Sequence, residues 1–312
     1  MNPSAVTGQP REGQVYEGGS LAARYASFVK LPHTLFALPF AGVGTVLASY
    51  AYPHQVSVRS LFWIVLAFTC ARFAAMGFNR IADRHHDALN PRTARRELPA
   101  GRLSVAQATG AVAAAAVLFI FAAWQLNPLC GWLSPLALAW VLAYSYAKRF
   151  TPWAHHVLGV ALGMAPAGAY LAIAGTWSTP WYALPVLVAA VMFWVAGFDT
   201  IYAVQDLEFD RAHGLHSLPA RLGAGRALRL ARGFHVLAFL LLAALRWLFP
   251  VGDVFLLGVL LGGAFMVWQH RLVRGRDPAA LDLPRIDRAF FHANVGVSTT
   301  LLTFTLLDRL LA

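Results

Sequence analysis

Cysteine is nearly absent: Cys70 and Cys130 are the only two in 312 residues. Two thiols exclude a disulfide framework and fall short of any cysteine-based zinc spacing. Lying in or beside apolar runs, they read as packing residues. Charge is scarce as well, at 12% of residues, about half the share of a soluble globular domain. No polar stretch is long enough to form a second domain. No apolar segment opens the chain as a secretion signal does. The Gly-rich run at Gly223-Ala224-Gly225 follows no strand, which excludes a dinucleotide or P-loop site. The adjacent pairs His85-His86 and His155-His156 point in different directions on a helix and make no metal-ligand pair. Residues 1–24 are expected to be a disordered tail, followed by one domain over 25–312.

What the chain does contain is apolar. It is 58% hydrophobic, with a mean hydropathy of +0.57. A membrane-crossing helix needs about 20 apolar residues. Nine candidate spans meet that length, at about 31–50, 61–79, 105–124, 129–147, 153–174, 182–203, 230–248, 251–270 and 289–307. The runs are continuous rather than alternating, so they are helices and not barrel strands. The expected fold class is therefore all-α, a polytopic membrane protein.

The net charge of +11 belongs to the loops. Arg80, Arg84, Arg92, Arg95, Arg96 and Arg102 crowd the expected 2–3 loop, and comparable groups fill the N-terminal stretch and the 4–5, 6–7 and 8–9 loops. Those regions hold 21 of the 25 Lys and Arg, the opposite side has only Arg59, Arg246 and Arg309, and Arg72 lies inside span 2. This split supports nine spans and puts the N-terminus in the cytoplasm. The basic excess is thus accounted for by topology and by anionic headgroups or substrates, and it indicates neither nucleic acid nor an obligate protein partner.

Half of the 14 acids gather after spans 2 and 6: Asp83, Asp87, Glu97, Asp199, Asp206, Glu208 and Asp210. NRIADRHHD (79–87) and YAVQDLEFD (202–210) both end in D-x-x-x-D and are both followed by L-P-A, at residues 98–100 and 218–220. Four spans separate them, which suggests two four-helix repeats plus one helix, with a site between the repeats.

Residues four apart share a helix face, with Cβ atoms about 5–6 Å apart. Asn79, Asp83 and Asp87 then form one stripe, and Asp199, Asp206 and Asp210 another. Bare carboxylates so close repel unless one is protonated or a cation intervenes. A single Asp pair at a helix end is ordinarily a solvated cap, but two copies in equivalent positions point to a shared ligand. Mg2+ binds oxygen ligands and commonly combines one or two carboxylates with phosphate oxygens, so facing stripes suit Mg2+ and a diphosphate. Arg72 lies two turns below Asn79 on about the same face, well placed for an anion. Tyr144 precedes Lys148 and Arg149, which could clamp a diphosphate or a carboxylate.

These motifs resemble the UbiA superfamily of intramembrane prenyltransferases over essentially the whole chain. That family has nine helices and two aspartate-rich motifs. Its N-x-x-x-D-x-x-x-D is met by Asn79, Asp83 and Asp87, and its second motif by Asp199, Tyr202, Gln205, Asp206 and Asp210. Its Y-x-x-x-K-R is met by Tyr144, Lys148 and Arg149, its helix-2 arginine by Arg72, and its first-helix basic residue by Lys30. Arg80 stands where many members have Asp, in a variant that looks like the subgroup labelled 4-hydroxybenzoate polyprenyltransferase. Some members of that subgroup serve a menaquinone route with a dihydroxynaphthoate acceptor.

The resemblance implies Mg2+-dependent transfer of a prenyl chain from polyprenyl diphosphate to an aromatic hydroxy-acid, for ubiquinone or menaquinone, at the cytoplasmic face of a bacterial inner membrane. It implies metal ligation by Asp83, Asp87, Asp206 and Asp210, and charge stabilisation by Arg72, Lys148, Arg149 and Lys30. Asn79, Tyr144, Tyr202 and Gln205 would contact substrate. Phe73, Phe78, Tyr144, Phe198 and Tyr202 are expected to line the pocket for the allylic cation, and Asp199 to orient the acceptor or remove the ring proton. Two alternatives remain from the sequence: another acceptor such as haem, or an ion-coupled transporter with acids near the middle of broken helices.

Overall fold

A computed structural model describes residues 20–30, 34–273, 286–287 and 289–312. Most of the expected tail, together with Arg11, Arg274, Arg276, Arg285 and Arg288, lies outside these residues. A short helix, α1 (Leu21–Phe28), begins at the Ser20 cap. After it come α2 (Thr34–Ser49), α3 (Val58–Leu89), α4 (Val105–Leu126), α5 (Pro128–Ala143), α6 (Ala154–Ala174) and α7 (Ala183–Ala203). Short α8 (Leu207–Ala212) and α9 (Leu218–Leu222) precede α10 (Ala224–Ala244), α11 (Asp253–Val273) and α12 (Asn294–Leu311). Among the described residues every regular element is helical, and eight helical stretches are long and apolar enough to cross a membrane. The expected first span corresponds to α2, which is apolar but shorter. The chain is an integral membrane protein.

The helix ends are written locally. Ser57 and Ser60 form a reciprocal capping box at the start of α3, and Ser104 with Gln107 does the same for α4. Asn127 accepts from the Cys130 amide and Pro128 opens α5. Gly175, at φ +65°, ends α6.

One boundary departs from expectation in a way that matters. The apolar stretch was expected to end near residue 79, leaving Arg80 and Arg84 in a loop. Instead α3 runs unbroken for 32 residues, about 48 Å at 1.5 Å per residue. Nothing in RIADRHHDAL breaks a helix, and the first break is Asn90-Pro91, where proline drives its predecessor out of the helical region; Asn90 has ψ 116°. The first acidic motif is therefore rigid helix projecting past the apolar stretch.

Helices α2, α6 and α7 pack backbone against backbone. A Cβ on Gly44 would stand 1.9 Å from the Pro166 carbonyl oxygen, and one on Gly159 would stand 2.5 Å from that of Met192. Small residues allow such approach where no hydrophobic force drives helices together in lipid. Next to this crossing Phe40 meets buried Trp194 at 4.7 Å between ring centroids.

At the end of the bundle away from the acids, buried Asp308 ties three elements together. It accepts from Tyr50 Oη (2.6 Å) and from the amides of Gly252 (2.7 Å) and Phe255 (3.1 Å). Asp308→Ala would strand two amides and a hydroxyl. It should cost ~3 kcal/mol of stability, read as a lower unfolding temperature in detergent. The turnover of the protein that remains folded should be unchanged, because Asp83 lies 25 residues, or about 37 Å of helix, up α3 from Val58.

Candidate active site

A cavity of about 460 Å³ runs between α2, α3, α4, α5, α6 and α7. On α3 its lining extends from Asp87 down to Ile64, about 34 Å of helix. The Asp87 end is polar and the other end is walled by Phe40, Ile64, Phe68, Leu133 and Leu171. A long apolar chain with a charged head has the shape and polarity of this space.

The first acidic stripe forms as spaced. Asn79, Asp83 and Asp87 all line the cavity, and Asn79 Nδ2 donates to Asp83 Oδ2 at 3.0 Å. Arg149 approaches Asp83 at 3.6 Å and also donates to the Ala82 carbonyl at 2.7 Å. Arg96 donates to Asp87 Oδ1 at 2.7 Å, while Asp87 Oδ2 is buried with no hydrogen-bond donor among the described residues.

The second stripe is not one helical face. A 3-10 turn over Val204–Asp206 separates α7 from α8, because tighter winding replaces the α pattern there. Asp199, Asp206 and Asp210 nonetheless all reach the cavity. Gln205 does not: the turn aims it at Asp287, to which Nε2 donates at 3.3 Å. Asp210 is buried, its Oδ2 lacks a hydrogen bond among the described residues, and Lys148 is 3.8 Å away. Tyr144, Lys148 and Arg149 also sit on 3-10 backbone, Tyr144–Arg149, rather than on an α turn, and all three line the cavity.

The remaining cations converge from below. Arg72 donates to Thr34 Oγ1 at 3.0 Å and to the Lys30 carbonyl at 3.4 Å, which joins α3 to the chain between α1 and α2. Lys30 lines the cavity with its ammonium 5.9 Å from the Tyr202 ring centroid. Burial pushes Lys30 well below the usual lysine range; Arg80, Arg96 and Arg92 push the same way and Asp287 pulls against them.

Four features went unseen in the sequence. Arg92 grips Asp206 through two hydrogen bonds, 2.9 and 2.6 Å, and donates to Tyr202 Oη at 3.1 Å. Asn90 adds a third bond to Asp206 at 3.0 Å. The fully buried His155 holds Asp199 through Nδ1 at 2.6 Å. Arg80, read from the sequence as a loop cation and a mark of the subgroup, is 5% exposed, lines the cavity, and has a buried Nη1 with no hydrogen-bond partner among the described residues. The signal available in advance was the N-P-R after the first motif. The pairing across 114 residues was not readable from one chain.

The aromatic lining was half foreseen. Trp194, Phe198, Tyr202 and Phe290 form a contiguous wall, with centroid separations of 4.9, 5.3 and 4.5 Å. Phe73 and Phe78 turn away, to Tyr25 and Tyr146 respectively, because they lie on other faces of α3.

The donor set fits a hard divalent cation. The orphaned buried oxygens of Asp87 and Asp210 come one from each motif, and every nearby acid offers oxygen only. Among the described residues no three His, Cys, Asp or Glu converge closely enough to hold an ion by themselves. Substrate oxygens and water would complete the shell, as Mg2+ prefers. Asp206, saturated by Arg92 and Asn90, could join only by sharing an oxygen.

Residues 37–295 match the UbiA prenyltransferase family. A protein named 4-hydroxybenzoate octaprenyltransferase from Idiomarina loihiensis is 32% identical over 263 residues, covering 83% of this chain and 85% of its own. One of the same name from Yersinia pseudotuberculosis is 31% identical over 272 residues, covering 86% of each chain. Among solved structures, the apo form of a UbiA homologue from Aeropyrum pernix K1 superposes with TM-score 0.78 at 34% identity, covering 88% of this chain and 98% of that one. A homologue from Archaeoglobus fulgidus bound to DMAPP and Mg2+ shares the fold at TM-score 0.64 and 18% identity, covering 93% and 100%.

Proposed function

The chain belongs to the UbiA prenyltransferase family, and from that membership we propose that it transfers a polyprenyl group from polyprenyl diphosphate to an aromatic hydroxy-acid. 4-Hydroxybenzoate is the acceptor best supported, by the names of the relatives, and a dihydroxynaphthoate is its rival. The observation that carries this reading is the single cavity with two acid motifs at one end and an apolar depth at the other. The ion-coupled transporter fits less well, because α3 is unbroken and its acids sit at its end.

Mg2+ held by Asp83, Asp87, Asp210 and a shared oxygen of Asp206 would neutralise the diphosphate and make it a better leaving group. Lys148, Arg149, Arg72 and Lys30 are aimed where charge grows on the departing oxygen. The C–O bond breaks, and its electron pair leaves with the diphosphate. The π faces of Tyr202, Phe198 and Trp194 then stabilise the allylic cation, and the apolar walls keep water from it. The ring carbon ortho to the hydroxyl attacks, and Asp199 takes the displaced ring proton. Arg80, whose buried Nη1 has no hydrogen-bond partner among the described residues, is suited to the acceptor's carboxylate. The split of Lys and Arg supports a bacterial inner-membrane enzyme with its mouth and N-terminus in the cytoplasm.

Purified protein with Mg2+ and geranyl diphosphate should prenylate 4-hydroxybenzoate or 1,4-dihydroxy-6-naphthoate. No product with either acceptor overturns the reading.

His155 positions Asp199 in this scheme. His155→Ala should lower kcat about 10- to 100-fold, roughly the contribution of a well-placed general base, with KM for both substrates nearly unchanged. His155→Gln keeps a side-chain donor and should recover most of the loss. Equal loss in both variants would mean that His155 only packs.

A further inference from the structure

A second cavity, about 580 Å³, opens between α10 and α11. It shares no lining residue with the first. Arg232, His235 and Phe239 lie along one face of α10, three, four and seven residues apart, the spacing of a helical stripe. Antiparallel α11 brings Arg271 and His270 to the Arg232 end, since His235 Nδ1 meets His270 Nε2 at 2.9 Å. At the other end Phe239 faces Gly263, where a Cβ would stand 2.9 Å from its ring. The two helices touch only lightly, so the gap is a groove in the side of the bundle.

The polarity of this groove is one-sided. Arg232 and Arg271 are exposed and, among the described residues, neither has an acid or a hydrogen-bond partner. Among the described residues no acid lines the groove. His235 Nε2 faces the Trp194 carbonyl at 3.2 Å. A carbonyl only accepts, so Nε2 carries the proton there. In neutral His235, Nδ1 therefore accepts from His270, which fixes the His270 ring at the rim. Two free guanidiniums and an oriented imidazole match an anionic oxygen cluster. The apolar run below them matches a hydrocarbon chain, which inorganic phosphate lacks.

We propose that this groove binds an anionic phospholipid, with its phosphodiester between Arg232 and Arg271 beside His270 and one acyl chain along Phe239 and Gly263. Basic pockets between membrane helices recognise such headgroups, and a ligand that binds only the folded state raises its stability. The full-length protein is placed in nanodiscs of phosphatidylcholine, with or without phosphatidylglycerol, and its thermal unfolding is followed. Phosphatidylglycerol should raise the unfolding temperature of the wild type by several degrees. The rise should vanish in Arg232→Gln/Arg271→Gln and persist in Arg226→Gln/Arg229→Gln, which removes equal charge from the same helix end. The pure phosphatidylcholine discs report whether each variant folds, and Arg232→Lys/Arg271→Lys, which keeps the charge, should retain part of the rise. The proposal is overturned if the wild type shows no rise, if both glutamine variants lose it equally, or if inorganic phosphate in phosphatidylcholine discs produces an equal rise that Arg232→Gln/Arg271→Gln abolishes.

Discussion

Asp210→Asn should lower kcat/KM for prenyl transfer about a thousandfold, or ~4 kcal/mol of transition-state stabilisation, without lowering the unfolding temperature. The two halves of this expectation come from the same atom. Asp210 Oδ2 is buried and receives no hydrogen bond among the described residues, and Lys148 at 3.8 Å is its ion-pair partner. A carboxylate oxygen so placed gains little in the resting protein. Under the proposed function its use would lie in the Mg2+–diphosphate complex, for which asparagine has the shape but not the charge. Burying an amide costs less than burying a carboxylate, so the variant should melt at or above the wild-type temperature. Calorimetric titration with geranyl diphosphate and Mg2+ separates binding from chemistry, and the binding enthalpy should collapse along with the rate. A variant that still binds diphosphate tightly and turns over within tenfold of wild type would remove Asp210 from the metal set. Asp87, with its own orphaned Oδ2 among the described residues, should lose rate in the same way, but its Oδ1 accepts from Arg96 at 2.7 Å, so its asparagine variant should also lose stability.

Arg92→Ala should act in the opposite order, on stability first. Arg92 and Asp206 are both buried and joined by two hydrogen bonds. Removing one partner of a buried pair leaves a naked charge and costs ~3–5 kcal/mol. The cost should shrink sharply in an Asp206→Asn background, where no charge is stranded. A double-mutant cycle on thermal unfolding measures the difference, and additivity would show that the pair is uncoupled. The pair should also be insensitive to pH. Burial by itself would lower the Arg92 guanidinium, but Tyr202 and Asp206 outweigh it and hold it above its ordinary range. A raised basic group contributes fully below its unfolded value and loses that contribution only above its folded one, so no loss falls in the working range. Activity falls as well, because Arg92 sets the height of Asp206 and touches Tyr202 on the cavity wall.

The sequence carried the apolar spans, the Asn79-Asp83-Asp87 stripe and the placing of Lys148 and Arg149 beside the same cavity. Each of these depends on periodicity or composition within about two turns of chain, which one-dimensional reading can resolve. It misjudged three local points for local reasons. Hydropathy marks where a lipid-facing stretch ends and not where a helix ends, so α3 outran its expected boundary by ten residues. Periodicity assumed continuous α winding through residues 204–206, where the chain tightens and Gln205 swings to Asp287. Spacing along α3 placed Phe73 and Phe78 near the site in sequence while leaving their faces undetermined.

By itself, then, the sequence determined a helical membrane protein with two acid motifs, since apolar length and four-residue spacing are properties of the chain alone, and its motifs resembled those of the UbiA prenyltransferase family. Only the tertiary structure decided which charges face each other. It brought Arg92 to Asp206, His155 to Asp199 and a buried Arg80 into the cavity, placements that join segments 44 to 114 residues apart or turn on burial. The physical reason is that a buried charge must find its partner in space, and the helix packing that brings the two together is written in no single stretch of the chain.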